Sequence, residues 1–176
     1  MDAMEVLFER YSYRGAYKST PVPRGHLTQI MEAGLAAPSG CNTQTTSLIG
    51  LDDAQLISAV TAPLDAPEFA SSPAAICVLT QHIPGYDDVY FNVQDYAAAI
   101  ENILLAVTAL GYASCWVEGM VTGDREIREK MSAALGIPDD YELVAYLPFG
   151  VPEEAGPRAK KKPFEQRAWF NGFGLR

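Results

Sequence analysis

The chain has 176 residues, a hydrophobic content of 48% and a formal net charge of -9. Its length and apolar content predict one compact domain over residues 1–176 and exclude a disordered protein. The negative charge argues against a nucleic-acid partner, because binding to a phosphate backbone requires many Lys and Arg contacts.

Hydrophobic periodicity and breaker residues divide the chain into helices and strands. Helices are predicted over residues 2–9, 27–37, 52–61, 93–110 and 124–135. Strands are predicted over residues 46–51, 74–80 and 142–149, with a short buried segment over 112–120 that ends at a glycine turn. Residues 62–73, 81–92 and 150–162 are predicted to be loops. Asp52 is predicted to cap the third helix, with Gln55 completing a capping box, and Gly111 to end the fourth.

The predicted helix over residues 93–110 has an unusually broad apolar surface. One face carries Ala97, Ile100, Leu104, Val107 and Leu110, and further alanines and leucines widen it. Such a surface must be covered, either inside the domain or by a second subunit. The tail over residues 164–175 is also too aromatic to remain in solvent, so we expect it to pack on another surface, such as a partner subunit.

Neither a targeting segment nor a disulfide framework is predicted. The first residues are acidic where a signal peptide is basic, and the longest apolar run, residues 103–109, is too short to span a bilayer. Cys41, Cys77 and Cys115 are odd in number and lack C-x-x-C spacing, which is typical of reduced thiols. We therefore expect a cytoplasmic protein with no membrane partner.

The basic residues are concentrated near the two ends of the chain. Near the start, Arg10, Ser12 and Arg14 alternate, so in an extended segment their side chains share one face. No Lys or Arg occurs between residues 24 and 125, and a second basic cluster follows over residues 158–167. Two guanidinium groups beside a hydroxyl can bind a phosphate, and we expect the fold to bring both clusters to one small anion.

Several reaction classes lack their signatures in this sequence. Only two histidines are present, and neither lies at ligand spacing from a cysteine or an acid, so no metal site is predicted. Nucleophile-elbow, phosphate-loop and dinucleotide-binding glycine motifs are absent. Cys41 has no histidine near it in sequence to act as its base. The remaining features indicate a protein whose reactivity belongs to a bound organic cofactor.

Four motifs resemble the FMN-dependent nitroreductase family in order and spacing. They are R-Y-S-Y-R at 10–14, A-P-S-G-C-N-T-Q at 37–44, A-L-G-Y-A-S-C-W-V-E-G-M at 109–120 and P-R-A-K-K-K-P at 157–163. The resemblance implies an α+β fold with a central mixed, mainly antiparallel sheet flanked by helices. It also implies an intertwined homodimer with FMN bound at the subunit interface, where the 93–110 helix would form the core.

The resemblance also assigns cofactor-binding residues. On the phosphate side, Arg10 and Ser12 would bind the FMN phosphate and ribityl chain, and Arg14 would lie near the pyrimidine edge. The second basic cluster would contribute Arg158 and Lys160, although the sequence leaves open whether Lys161 or Lys162 contacts the phosphate instead.

On the ring side, the partner subunit would supply Pro38, Ser39, Gly40 and Asn42. Glu118 and Gly119 would border the ring, with a backbone N–H directed at N5. No catalytic acid or base is assigned.

The implied activity is that of an oxidoreductase with tightly bound FMN. NADH or NADPH would give hydride to flavin N5 and leave, and a small acceptor such as a nitroaromatic or quinone would then be reduced in a ping-pong cycle. The alternatives are a flavin-dependent oxidase or dehydrogenase of a specific metabolite, a non-catalytic flavin-binding protein, and a structural dimer without flavin. The family motif commonly continues Q-P-W, whereas Gln44 is followed here by Thr45 and Thr46.

Overall fold

A four-stranded antiparallel sheet between two layers of helices forms the framework of the computed structural model, which describes residues 2–175. The strands are β1 (Thr46–Leu51), β2 (Ala74–Thr80), β3 (Ala113–Ser114) and β4 (Glu142–Gly150), in the spatial order β1-β2-β4-β3. The helices are α1 (Ala3–Glu9), α2 (Arg24–Leu35), α3 (Ala54–Thr61), α4 (Pro67–Ala70), α5 (Asn92–Ala109), α6 (Gly119–Thr122) and α7 (Arg125–Leu135). The predicted α+β fold is confirmed.

Strand β2 lies inside the sheet, between β1 and β4, and every one of its residues is buried. Its side chains alternate between two apolar clusters, as the pleat of a strand requires. Ile76 and Val78 point to the layer of α2 and α5, whereas Cys77 and Leu79 point to the layer of α3 and α7. The continuous apolar run at 74–80 therefore predicts correctly a strand that is covered on both faces.

Helix α5 is the longest helix of the described chain, and its apolar surface is largely covered within the domain. Ile100, Ile103 and Val107 are buried against α2 and the sheet. A Cβ atom at Gly34 of α2 would lie 2.7 Å from Ile103, so the close approach of these two helices requires glycine at that position. Gly111 ends α5 with a φ of 82°, which confirms the predicted C-terminal cap.

The N-terminal cap of α3 is one residue later than predicted. Asp53, and not Asp52, accepts a hydrogen bond from the backbone N–H of Leu56 at 2.7 Å. Asp52 instead accepts from the guanidinium of Arg24 at 2.6 Å. The sequence offers two adjacent aspartates, and the ion pair with Arg24 decides which of them faces the helix end.

Two further segments contain helices that the sequence did not predict. Residues 62–73 are not only a loop, because α4 begins at Pro67, where the fixed φ of proline suits the first helical position. Residues 112–120 form strand β3 and then enter α6, so Gly119 is the first residue of a helix and not a glycine turn. No helix within residues 2–175 has both the length and the apolar character needed to cross a membrane.

Candidate functional site

The extended segment after α1 lies between β3 and the C-terminal loop. Ser12 forms a parallel bridge with Ser114, and the N–H of Tyr13 donates to the Ser114 carbonyl at 2.8 Å. Further along, Tyr17 bridges to Pro152. Tyr13 and Tyr17 are each only 3% exposed and pack in the core. Ser12 and Arg14, on either side of Tyr13, are exposed, so this stretch alternates as the predicted extended conformation requires.

The outward side chains line a cleft of about 460 Å³. We call this cleft the basic cleft, because its lining includes the basic residues Arg10, Arg14, Arg158 and Lys161. Its hydroxyl-bearing residues are Ser12 and Tyr11. The two clusters, separated by more than a hundred residues in sequence, therefore meet in one place, as the charge pattern predicts. Lys160 is not among the residues that line this cleft, whereas its neighbour Lys161 is.

Two arginines of the basic cleft are already paired with acids. Arg10 lies 3.2 Å from Glu101 of α5, and its side chain is only 19% exposed. Arg158 binds the carboxylate of Glu9 and donates to the Glu9 carbonyl at 3.0 Å. These contacts orient both guanidinium groups, and they leave further N–H donors for an anion.

The remaining positive charge of the basic cleft is available to a ligand. Within the described residues, Arg14 and Lys161 form no ion pair. Together with the Ser12 hydroxyl they provide unpaired donors on the surface of an otherwise acidic protein. This donor set suits a phosphate group, because a phosphate carries several acceptor oxygens and about two negative charges. The residues present therefore fit the phosphate end of FMN.

A second cavity of about 490 Å³ adjoins the basic cleft. The two cavities share Ser12, Arg14 and Pro157, so Arg14 lies at the boundary between them. Glu153 and Glu154 line the second cavity, which makes it less positive than the first. A ligand with an anionic end and a neutral body fits this change of charge along the groove.

Residues 38–44, which we call the polar loop, are held by one buried carboxylate. Asp95 of α5 is 3% exposed and accepts from the backbone N–H of Gly40 at 2.7 Å and from the Thr45 hydroxyl at 2.7 Å. The loop needs such anchoring because Cys41 and Gln44 have φ values of 53° and 49°, and non-glycine residues adopt this region at a cost. The sequence predicts the loop but not its anchor.

The residue after Asp95 fixes the other segment predicted to border a cofactor ring. The hydroxyl of Tyr96 donates to the carboxylate of Glu118 at 3.0 Å. Burial, together with this hydrogen bond, raises the pKa of Tyr96 to about 12, so the tyrosine remains a donor at neutral pH. The start of α5 thus anchors both the polar loop and the Glu118–Gly119 segment.

The structure brings together only part of the predicted site. Arg10, Ser12, Arg14 and Arg158 share the basic cleft. The ring-side residues do not line it; these are Pro38, Ser39, Gly40, Asn42, Glu118 and Gly119. This separation is compatible with a partner subunit supplying the polar loop, and the roles of all these residues remain predictions.

Two residues of the site were missed by the sequence analysis, and a third was left undecided. Glu101 and Asp95 are carboxylates within the apolar 93–110 helix, and a charged residue on such a surface signals a specific partner. Lys161 could not be separated from its neighbours, because consecutive lysines in a loop have no periodicity that orients them.

Comparison with known proteins places the chain in a family. The model of the nitroreductase family matches residues 7–62 and 52–151. A protein of Archaeoglobus fulgidus named as an NADH dehydrogenase/NAD(P)H nitroreductase is 26% identical over 156 residues, which cover 87% of each chain. A protein of Methanothermobacter thermautotrophicus with the same name is 29% identical over 161 residues, covering 88% of this chain and 79% of the relative.

Solved structures show the same fold. A protein of Parabacteroides distasonis, named as an NADH dehydrogenase/NAD(P)H nitroreductase, has a TM-score of 0.83 at 25% identity and covers 98% of this chain and 99% of its own. A nitroreductase of Bacteroides fragilis with bound FMN has a TM-score of 0.70 at 24% identity, and the match covers 93% of this chain and 95% of the neighbour. The chain therefore belongs to the nitroreductase family, a family of oxidoreductases, as its four motifs predict.

Proposed function

We propose that this protein is an FMN-dependent oxidoreductase that uses NADH or NADPH to reduce a small organic acceptor such as a nitroaromatic or a quinone. The observation that carries the proposal is the basic cleft, in which the two ends of an acidic chain combine three arginines, a lysine and the hydroxyl of Ser12. The family membership and the FMN bound to the Bacteroides fragilis neighbour support it.

The residues of the basic cleft would bind and orient the cofactor. Arg10, Arg158 and Ser12 would hold the phosphate and the ribityl chain, with Lys161 in the place predicted for Lys160. Arg14, between the two cavities, would place positive charge near the pyrimidine edge of the ring. When bound, FMN supplies the redox chemistry, accepting hydride at N5 from the nicotinamide and passing the electrons to the acceptor in a second half-reaction.

The ring-side residues would shape the space around the cofactor ring. The polar loop, with Pro38, Ser39, Gly40 and Asn42, would cover the ring from the partner subunit, and Glu118 and Gly119 would border it. The polar groups that anchor these segments are protein groups, namely Asp95 and Tyr96, so the anchoring contacts do not depend on the cofactor. The chain would orient the reactants over the cofactor ring and would exclude water from it, because positioning alone supplies much of the rate in such reactions.

A homodimer forms part of the proposal. In helix α1, Met4, Leu7 and Phe8 are 57%, 48% and 75% exposed. The tail is similarly uncovered, with Phe164, Phe170 and Phe173 each more than half exposed. Apolar residues at this density are typical of a surface covered by a partner, and a second copy of the chain would cover both surfaces by symmetry.

The proposal is tested by the visible absorption spectrum of the purified protein, recorded before and after anaerobic addition of NADH or NADPH. We expect a yellow protein whose flavin absorption bleaches within seconds with at least one of the two nucleotides. A yellow protein that neither nucleotide reduces would indicate a metabolite oxidase or a flavin carrier. A colourless protein that does not bind added FMN would contradict the proposal.

A further inference from the structure

Residues 83–91 form a small hairpin, which we call the 83–91 hairpin, in the connection between β2 and α5. Pro84 bridges to Tyr90, and the N–H of Val89 donates to the Tyr86 carbonyl at 3.0 Å. Asp87 and Asp88, at the tip of the hairpin, have left-handed φ values of 51° and 56°. Two consecutive left-handed residues give the turn that matches the twist of a hairpin.

The 83–91 hairpin packs directly on the polar loop. A Cβ atom at Gly40 would lie 2.3 Å from the ring of Phe91, so that ring sits against the backbone of the polar loop. A Cβ atom at Gly85 would lie 3.1 Å from the sulfur of Cys41, which places the two segments in contact a second time. The 83–91 hairpin is therefore a direct neighbour of any ligand that the polar loop contacts on this side.

The surface of the 83–91 hairpin is aromatic and uncovered in the single chain. Tyr86 is 64% exposed and Tyr90 50% exposed, and Val89, next to Tyr90, is 41% exposed. The rings of Tyr86 and Phe91 lie 5.9 Å apart, which extends the aromatic surface from the hairpin towards Gly40. Aromatic side chains at this spacing offer stacking contacts to a flat ring system.

The charge around this surface is negative. Asp87 and Asp88 lie at the tip of the hairpin, and Glu118 is the charged residue of the other ring-side segment. No Lys or Arg occurs between residues 24 and 125, so the hairpin, the polar loop and the Glu118 segment all lack a basic side chain. An anionic group placed against the hairpin would meet like charges, which disfavours its binding most at low ionic strength.

We propose that the 83–91 hairpin is a wall of the acceptor site and that Tyr86, Tyr90 and the Asp87–Asp88 tip select a flat aromatic acceptor that is uncharged or cationic. This inference rests on the proposed function, because it takes the polar loop to face the flavin ring. The contact between hairpin and polar loop gives the location, the exposed tyrosines give the stacking surface, and the charges give the selectivity.

Matched nitroaromatics test the charge selectivity. The FMN-loaded protein is assayed with NADH or NADPH against 4-nitrobenzyl alcohol, which is neutral, and 4-nitrobenzoate, which is an anion of nearly the same shape. We expect kcat/KM to be at least about tenfold higher for the alcohol. In the double variant Asp87→Asn with Asp88→Asn, the ratio between the two acceptors should fall several-fold. The control is Glu126→Gln with Glu129→Gln on α7, which makes the same change in net charge on the opposite layer of helices.

Aromatic truncation tests the wall itself. Tyr86→Ala and Tyr90→Ala should each weaken equilibrium binding of 4-nitrobenzyl alcohol to the oxidised protein, measured calorimetrically without nucleotide, by about tenfold. The FMN content and the oligomeric state of each variant are measured in parallel.

Three results would overturn the inference. One is equal turnover of the neutral and the anionic acceptor by the unmodified protein. Another is unchanged acceptor binding in both tyrosine variants. The third is dissociation of the oligomer in these variants, which would make the 83–91 hairpin a subunit contact and not an acceptor wall. A protein that binds flavin but fails one of these tests leaves the proposed function intact, whereas a protein that binds no flavin overturns both.

Discussion

The basic cleft and the polar loop differ in how much of each a single chain completes. The basic cleft joins residues 10–14 to residues 158–161, and one chain supplies all of its charged side chains. The polar loop is anchored through the buried carboxylate of Asp95, yet the predicted ring-binding residues on it do not line the basic cleft. The phosphate side of the proposed site is thus complete in one chain, whereas the ring side requires residues that lie away from the basic cleft.

We therefore expect the basic cleft to determine the affinity for FMN and the polar loop to affect the reaction at its ring. Charge-assisted contacts to a phosphate supply binding energy, whereas contacts to a ring control orientation and access. A chain arranged in this way would bind the phosphate end of FMN with its own residues and would require the second subunit to enclose the ring. Substitutions in the two regions should therefore change different measured quantities.

Removing the anchor of the polar loop should have the largest effect on stability. Asp95→Ala deletes the acceptor for the Gly40 N–H and the Thr45 hydroxyl, both of which would lose their partner in or near the interior. We expect the free energy of unfolding to fall by about 3 kcal/mol, because buried donors without acceptors are costly. Chemical denaturation of the flavin-free variant and of the unmodified protein measures this difference in the free energy of unfolding.

The control for that variant is Asp53→Ala, which removes the N-terminal cap of α3. A lost cap costs about 1 kcal/mol. An Asp95 variant no less stable than the Asp53 variant would mean that the polar loop does not depend on its carboxylate.

Removing an arginine of the basic cleft should mainly change cofactor affinity. Arg10→Ala takes away a charge-assisted donor and also leaves Glu101, next to the basic cleft, as an unpaired negative charge. We expect FMN affinity to fall about 30-fold, which corresponds to about 2 kcal/mol. Fluorescence titration of FMN measures the dissociation constant.

The matched control for that variant is Arg24→Ala, because Arg24 also pairs with an acid, Asp52, but lies outside the basic cleft. If both variants weaken FMN binding equally, the effect is a general loss of positive charge. Adding Glu101→Gln to Arg10→Ala should restore part of the affinity, since it removes the released carboxylate.

The three cysteines provide a probe of the polar loop. Burial raises the pKa of Cys77 to about 12 and that of Cys115 to about 11, so both remain protonated at pH 8. Cys41, in the polar loop, is exposed in the single chain. We expect a thiol reagent to label one cysteine in the native flavin-free protein and three after denaturation. FMN should slow the labelling of Cys41 several-fold if the loop covers the ring, and an unchanged rate would place the loop elsewhere.

The sequence predicts best those parts of this fold that depend on local patterns. The strands at 46–51 and 74–80 are found at their predicted bounds. The second of these is a continuous apolar run between loop residues, which is a purely local pattern. Contacts between distant segments were less predictable. The choice of Asp53 over Asp52 as a cap depends on Arg24, which lies 28 residues away in sequence. The helix at Pro67 was missed for a different reason, because a proline suits the first turn of a helix as well as a loop.

The same distinction applies to the site. The alternation of Arg10, Ser12 and Arg14 is a local property, and the shared face follows from it. The partners that hold the site, Asp95 and Glu101, lie on a helix more than 50 residues away from the polar loop or the basic segment, so no local pattern connects them.

The lysines of the C-terminal cluster should show the smallest effect. Lys161 lines the basic cleft and Lys160 does not, although the sequence favours Lys160. Lys161→Ala should reduce FMN affinity about twofold at low ionic strength and less at high salt, because an exposed ammonium contributes about 0.5 kcal/mol. Lys160→Ala is the control and should leave the affinity unchanged. A larger effect of Lys160→Ala would return the assignment to that residue.

The central claim, that the basic cleft binds the phosphate of FMN, is tested most directly by comparing FMN with riboflavin, which differs only in lacking the phosphate. Fluorescence titration of the flavin-free protein gives both dissociation constants under one set of conditions. We expect FMN to bind at least about 100-fold more tightly, a difference of about 3 kcal/mol that several charge-assisted hydrogen bonds can supply. Equal affinities for FMN and riboflavin would contradict the claim.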